Sequence, residues 1–246
     1  FDPDEVFDDA FTVTASGRRV ELLHAPSEVD DALALWLPDD GLLAAGAAAP
    51  GFTIPNIGTP LRTQRLTIRW AQTLDRLASL GARRLLPEFG PLIEGQAEVR
   101  RWLTGPAEAL RWLRAEVVRR MNAGMGELEI LANMTYPAEL FDHPWMRPAY
   151  GAPEYIVPDL FREENGWWDR NPTSLHPAGP DEAAAAVLAA IAPARVIERA
   201  GELAAAGQPQ LALHVIDLVA AGPDESPERL QARQLKAKLC LMLAEA

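Results

Sequence analysis

The chain has 246 residues, of which 48% are hydrophobic and 24% are charged, and its formal net charge is −12. These values are ordinary for a globular protein, and the length allows one large domain or two smaller ones. The negative charge argues against a nucleic-acid-binding protein, which needs clustered lysine and arginine, and no segment reaches the ~18 consecutive apolar residues of a membrane span.

The first 95 residues carry the pattern of a helix packed on a sheet. Alternating and apolar runs, separated by turn residues, predict four strands, at residues 11–15, 19–24, 32–37 and 42–45. A Gly-, Pro- and Ala-rich stretch predicts a long loop over residues 46–62. Apolar residues at three- and four-residue spacing then predict a helix over 63–80, and a short strand follows at 83–87.

Helical patterns dominate after residue 96. A long helix is predicted over residues 97–122 with a break at Gly105-Pro106, because proline cannot donate a helical backbone hydrogen bond. Two shorter helices follow, at 127–133 and 154–164, and then a connector over 165–180. The tail predicts four helices separated by Pro and Gly, including Gly222-Pro223, and resembles tetratricopeptide-like hairpins. These helices are predicted at residues 181–191, 193–206, 208–221 and 226–244.

The residues alone provide no complete catalytic constellation. The four histidines include no pair at metal-ligand spacing, and the chain has neither a P-loop nor a nucleophile elbow. One acidic segment follows His24 and contains Glu28, Asp30 and Asp31. Such a segment has the oxygen ligands that a hard cation prefers, although a solvated acidic turn has the same composition.

Several motifs resemble, in their order and spacing, those of the metallo-β-lactamase-fold alkylsulfatases. Residues 24–28 (HAPSE) resemble an HxPGE-type loop, and residues 55–62 resemble a PN…TP-x-R segment from which a few residues are deleted. Residues 121–124 and 166–172 resemble the family's MN-x-G helix end and its GW-aromatic-DGNP segment. The helical tail resembles the alkylsulfatase dimerisation domain, so the resemblance covers nearly the whole chain.

The resemblance implies an α/β fold. It predicts the C-terminal half of a metallo-β-lactamase αββα sandwich, followed by an all-α, tetratricopeptide-like dimerisation domain. The boundaries implied are a half-sandwich at residues 1–95, a helical extension and connector at 96–180, and a dimerisation domain at 181–246.

The resemblance also implies a metal centre from which several ligands are missing in this sequence. The family binds two zinc ions through an HxHxDH loop, two acidic residues and a late histidine. The HxHxDH loop does not occur in these residues, Glu28 matches the first acidic position, and Ala47 stands at the second. Phe89 stands at the histidine position with Glu88 beside it. Glu28 and Glu88 are therefore the candidate metal ligands, for one zinc ion or none, and no residue is assigned a catalytic role.

The family segments also suggest residues that contact a substrate. Arg62 offers the bidentate geometry that binds an anion, and Asn56, Tyr150 and Trp168 lie in matching segments. Each has an alternative interpretation, since an exposed arginine often only faces solvent and a tyrosine or tryptophan often packs on the core.

Three functions remain open on the sequence. The first is a subunit of a sulfatase-like hydrolase or transferase, whose metal site needs a second polypeptide with the HxHxDH half; the start at Phe1, inside the fold, motivates it. The second is an inactive structural subunit, because Ala47 and Phe89 replace ligands with carbon. The third is a binding module in which the helical tail recruits another protein. Cys240, the single cysteine, favours a reducing compartment, and we expect a cytoplasmic protein.

Overall fold

The computed structural model describes residues 5–221 and 224–245. The chain divides into two compact units, Phe1–Asp169 and Arg170–Ala246. The predicted Gly222-Pro223 joint lies outside the described residues. Among the helices that the structure describes, none has both the length and the hydrophobicity to cross a membrane.

A six-stranded sheet forms the centre of the first unit. Its strands are β1 Ala10–Ala15, β2 Arg18–His24, β3 Leu33–Leu37, β4 Leu42–Gly51, β5 Arg84–Phe89 and β6 Ile93–Glu94. They lie side by side in chain order, and all neighbours are antiparallel except β4 and β5. The parallel pair is connected by a helical crossover, as parallel strands require.

The described residues of the first unit form five α-helices: α1 Thr67–Ser79, α2 Gln96–Asn122, α3 Glu127–Asn133, α4 Ala138–Phe141 and α5 Pro153–Asn165. A short 3₁₀ turn, Pro144–Met146, lies between α4 and α5, and a second one, Pro172–Ser174, begins the second unit. The second unit continues with α6 Pro180–Leu188, α7 Pro193–Ala205, α8 Pro209–Ala220 and α9 Pro227–Ala244. These four helices confirm the four tail helices predicted from the sequence. Each begins at a proline, which suits the first helical position because its missing N–H has no helical partner there.

Three predicted boundaries are wrong. Strand β4 continues to Gly51, so the loop predicted from residue 46 begins later, and α1 begins at Thr67 rather than at residue 63. Helix α2 is continuous through Pro106. Pro106 and the neighbouring Leu103 and Ala107 are buried, and this packing holds the helix together despite the lost hydrogen bond.

One face of the sheet packs against α1 and α2. Trp36, Leu43 and Leu85 occupy consecutive cross-strand positions on this face and belong to one core cluster with Trp70 of α1. The Trp70 indole Nε1 donates to the Ala48 carbonyl at 2.9 Å, which joins the helix to β4. Burial of this apolar face stabilises the layer.

The opposite face of the sheet is apolar and open, and we call it the open face. Phe11, Leu22, Leu35, Ala44 and Leu86 are cross-strand neighbours in one row over the first five strands. Leu35 is 40% exposed and Leu86 is 45% exposed. None of the five belongs to the buried core among the residues that the structure describes. An apolar row of this extent is typical of a surface that another layer covers.

The second unit has its own core. Helices α7, α8 and α9 bury Val196, Ile197, Leu203, Ile216 and Leu239 against one another. Leu211, Leu230 and Leu241 remain exposed on its helices.

Candidate functional site

The acidic segment forms a closed loop at the end of β2, which we call the acidic loop (residues 24–32). The His24 Nε2 atom lies 2.6 Å from the Asp30 carbonyl oxygen, and because a carbonyl only accepts, this nitrogen carries the proton. The Ala25 N–H donates to the Ala32 carbonyl at 2.7 Å, and Thr73 of α1 donates to the Pro26 carbonyl at 2.7 Å. His24 therefore serves to close this loop, and the loop presents Glu28.

A second loop, residues 52–66, lies between β4 and α1 and carries Asn56. Asn56 is 1% exposed. Its Nδ2 donates to Glu28 Oε1 at 3.1 Å, and its Oδ1 accepts from the Thr59 hydroxyl. Gly58 holds this loop against α5, because a Cβ atom there would lie 1.9 Å from the Tyr155 carbonyl oxygen. Asn56 is thus fixed by the loop and orients the Glu28 carboxylate.

Arg65 lies at the end of the same loop, and its side chain is 8% exposed. Its Nη1 is 3.2 Å from Glu28 Oε1, and its Nη2 donates to Glu28 Oε2 at 3.4 Å. Nη1 also donates to the Asn56 carbonyl. The Arg65 backbone N–H lies 3.5 Å from Asp159 Oδ2 of α5. One arginine therefore connects the acidic loop, the loop 52–66 and α5.

Glu88 lies at the end of β5 and belongs to the same electrostatic group. Partial burial raises the pKa of Glu88 above its usual range, the Glu28 carboxylate raises it further, and the Arg65 guanidinium opposes both. Burial likewise raises the pKa of Asp159, against the Arg65 backbone N–H and the nearby guanidinium groups of Arg162 and Arg65. Arg65 is thus the cation that the neighbouring carboxylates share.

Two further candidates, Arg62 and Tyr150, form a rim beside this group. The Arg62 Nη2 donates to the Tyr150 hydroxyl at 3.2 Å, and the Tyr150 ring meets the Phe89 ring with centroids 6.4 Å apart. Phe89 is 50% exposed. Trp168 lies in the connector after α5, where its carbonyl accepts from Asn165 Nδ2 at 3.0 Å.

The residues of this chain do not form a zinc site by themselves. Among the described residues, no group of three or more His, Cys, Asp or Glu side chains could hold a metal ion. Both oxygens of Glu28 already face donors, from Asn56 and Arg65. Zinc needs three or four lone-pair donors, and a guanidinium this close repels it. As arranged here, these residues do not fit a zinc ion bound by this chain alone.

Arg65 and Asp159 were not found by the sequence analysis. Arg65 precedes the apolar stripe of α1 and carries no motif, and its partners lie 37 and 94 positions away along the chain. A buried arginine looks like a surface arginine in the sequence, so no local signal identifies it.

Comparison with known proteins identifies the relatives of this chain. Residues 127–246 match the family described as alkyl sulfatase dimerisation. The linear primary-alkylsulfatase of Pseudomonas sp. (strain ATCC 19151) is 30% identical over 189 residues, which are 76% of this chain and 36% of that protein. The structure of the stereoselective inverting sec-alkylsulfatase Pisa1 from Pseudomonas sp. matches with a TM-score of 0.87 at 23% identity, over 97% of this chain and 38% of that one.

These findings define the class as an α/β layer followed by a helical dimerisation domain, and they confirm the fold class predicted from the sequence. The chain is thus similar to alkylsulfatases, and its residues 127–246 match the alkyl sulfatase dimerisation family. It spans 36% of the length of the curated relative and 38% of the chain of the solved structure.

Proposed function

We propose that this chain is the C-terminal half-shell of an alkylsulfatase-like hydrolase or transferase. The open face carries this proposal, because a row of apolar side chains over five strands needs a covering layer. The covering layer that we propose is the αβ half with the HxHxDH loop, carried by a second polypeptide. By similarity to the linear primary-alkylsulfatase, the reaction class is hydrolysis of a sulfate ester.

Native purification tests the covering layer. A tagged chain should co-purify with a polypeptide whose sequence, read by mass spectrometry, contains HxHxDH, and Leu86→Lys on the open face should abolish the association. A single longer polypeptide that contains both halves would keep the covering layer and exclude the separate partner. A stable monomer of 26.8 kDa that binds no second layer contradicts the proposal.

Whether the assembly binds one zinc ion or none then depends on the ligands of the partner half. Glu28 can act as a ligand only if its pair with Arg65 opens, and Glu88 only if its side chain turns toward the same ion. The proposed metal ligands of this half are therefore Glu28 and Glu88, while Arg62 and Tyr150 form the wall beside them. Trp168 and Asn56 complete the proposed substrate-binding set, although Asn56 is engaged by Glu28 and Thr59.

A catalytically inactive structural subunit is the second candidate, and the Arg65–Glu28 pair favours it. A carboxylate neutralised by a buried guanidinium has no need of a metal, and Phe89 places carbon at the rim. The two candidates differ in the effect of Glu28→Gln on the native assembly. Loss of sulfatase activity and of bound zinc, with the assembly intact, supports the hydrolase, whereas an unchanged zinc content supports the structural subunit.

We further propose association of two chains through residues 181–246, the region that falls within the dimerisation match. Sedimentation should show a mass that halves when exposed leucines of this region, such as Leu211 or Leu241, are changed to lysine. Of the proposed domain boundaries, near residues 95 and 180, only the second predicts limited proteolysis, because residue 95 lies inside the first compact unit. The proposed compartment is the cytoplasm, where the exposed thiol of Cys240 stays reduced.

A further inference from the structure

Arg65 occupies the centre of the candidate site rather than its edge. Its guanidinium faces both oxygens of Glu28, at 3.2 and 3.4 Å, and donates to the Asn56 carbonyl. Only 8% of its side chain is exposed, against 23% for Glu28. A charge this well buried is stable only with partners that offset its desolvation, and Glu28 is the carboxylate in direct contact.

Arg65 connects its own loop with two segments from distant parts of the chain. The acidic loop contributes Glu28, the loop 52–66 contributes the Asn56 carbonyl, and α5 contributes Asp159, which accepts from the Arg65 backbone N–H. A metal ion commonly joins separate loops in this way, because its ligands come from several elements at once. Here Arg65 makes the same kind of connection: its Nη1 and Nη2 atoms donate to the Asn56 carbonyl and to Glu28, and its backbone N–H reaches Asp159, while its Nε has no partner among the described residues.

We propose that Arg65 is the built-in cation of this half-site, and that it replaces a divalent metal in neutralising Glu28 and in fixing the two loops. The inference concerns the site of the proposed function but does not rest on a covering layer or on activity. It assigns Arg65 as a positioning residue, which acts through Glu28 and Asn56. It also predicts that removing Arg65 leaves the Glu28 carboxylate unpaired, so that a divalent cation is no longer repelled there.

Three variants of the 246-residue chain test this assignment: Arg65→Met, Glu28→Gln and the double variant. Arg62→Met is the control, since Arg62 lies in the same loop but its guanidinium donates only to the Tyr150 hydroxyl among the described residues. Thermal unfolding is measured with EDTA and with zinc chloride, and zinc binding is measured by titration calorimetry. These readouts need neither a substrate nor a second chain.

The wild-type chain and Arg62→Met should show the same melting temperature in EDTA and in zinc. Each single change at the pair should lower the melting temperature by about 5 °C or more, because a buried charge loses its partner. The double variant should lower the melting temperature by less than the sum of the two single changes. Arg65→Met should bind zinc about tenfold more tightly than the wild type or better, since a nearby positive charge is removed, and Glu28→Gln in the same chain should abolish the gain.

Two results overturn the assignment. One is zinc binding by the wild-type chain that Glu28→Gln removes, because Glu28 is then a metal ligand despite Arg65. The other is simple additivity of the two melting-temperature losses, because the pair is then not coupled. If Arg65→Met does not fold, Glu28→Gln and Arg65→Lys decide instead. A loss below about 1 °C in both contradicts a coupled buried pair.

Discussion

Leu35→Lys on the open face is the sharpest test of the half-shell proposal. Leu35 lies in the middle of β3, with Leu22 on one side and Ala44 on the other. It is 40% exposed, so lysine can extend into solvent in the isolated chain with little effect on folding. Under a covering layer the same ammonium group becomes buried. The substitution therefore separates association from stability.

The expected loss of association free energy follows from the part of the Leu35 side chain that is still exposed. Full burial of a leucine is worth about 1.5–3 kcal/mol, so the exposed 40% of Leu35 holds roughly 1 kcal/mol for association. Burying even a neutral polar group without a partner costs a further ~1–3 kcal/mol, which is a lower bound for an ammonium group. Together these give a loss of at least about 2 kcal/mol, which corresponds to a dissociation constant at least roughly 30-fold higher.

Sedimentation of the native assembly, with the chain at a range of concentrations, measures this change. Leu128→Lys is the matched control, since Leu128 is 77% exposed on α3 and lies away from the sheet. We expect the control to associate as the wild type does and both variants to melt at the wild-type temperature. If Leu35→Lys associates with unchanged affinity, the open face is not the covered face and the reasoning is refuted.

Four further predictions, at three residues, concern the fold itself. Gly58→Ala should lower the free energy of unfolding, measured in urea, by about 2 kcal/mol or more. The reason is that φ is 70° at this position and the new Cβ would lie 1.9 Å from the Tyr155 carbonyl oxygen. A loss below ~0.5 kcal/mol would contradict this packing. Arg119 and Arg120 lower the pKa of Glu116 to about 2, so its contribution to stability should fade as pH falls from 4.5 toward 2, and Glu116→Gln should flatten that part of the pH profile. Burial, with a smaller contribution from Glu154, raises the pKa of Tyr136 to about 12. The free energy of unfolding should therefore fall as pH rises from 10 to 12. An equal fall in the Tyr136→Phe variant would contradict this cause. The Tyr136 hydroxyl is buried with no partner among the described residues, so Tyr136→Phe should be neutral or stabilising at pH 7 in chemical unfolding.

The sheet could be predicted because its signals are local. Residues 32–37 are apolar throughout, which is typical of a strand that is covered on both faces. The structure covers one of these faces, with Trp36 inward and Leu35 outward. The apolar sequence therefore predicts the strand and also a second layer that covers it. The residue pairing between strands in the structure then identifies the row of side chains that defines the open face.

Other parts of the fold could not be predicted because they depend on distant contacts. The end of β4 is rich in Ala, Gly and Pro, yet its pairing with β5 extends it to Gly51. A Cβ at Gly51 would lie 2.0 Å from the Phe89 carbonyl, so glycine permits this close approach. The family motifs indicated Glu28, Asn56, Arg62 and Tyr150, and these form two contacting pairs. Arg65 has no motif, and its role depends on folding.

The open face and the Arg65 pair lead to opposite expectations for the same assembly. An apolar face is stabilised by a covering layer, whereas a carboxylate already neutralised by Arg65 gains little from an added ion. Association and metal binding should therefore be separable. Leu35→Lys should weaken association at least roughly 30-fold and leave the Arg65 pair intact. Glu28→Gln should lower the melting temperature and leave the association constant within about twofold, a change below 0.5 kcal/mol. If Glu28→Gln instead separates the assembly, the pair lies in the interface and the two features form one surface.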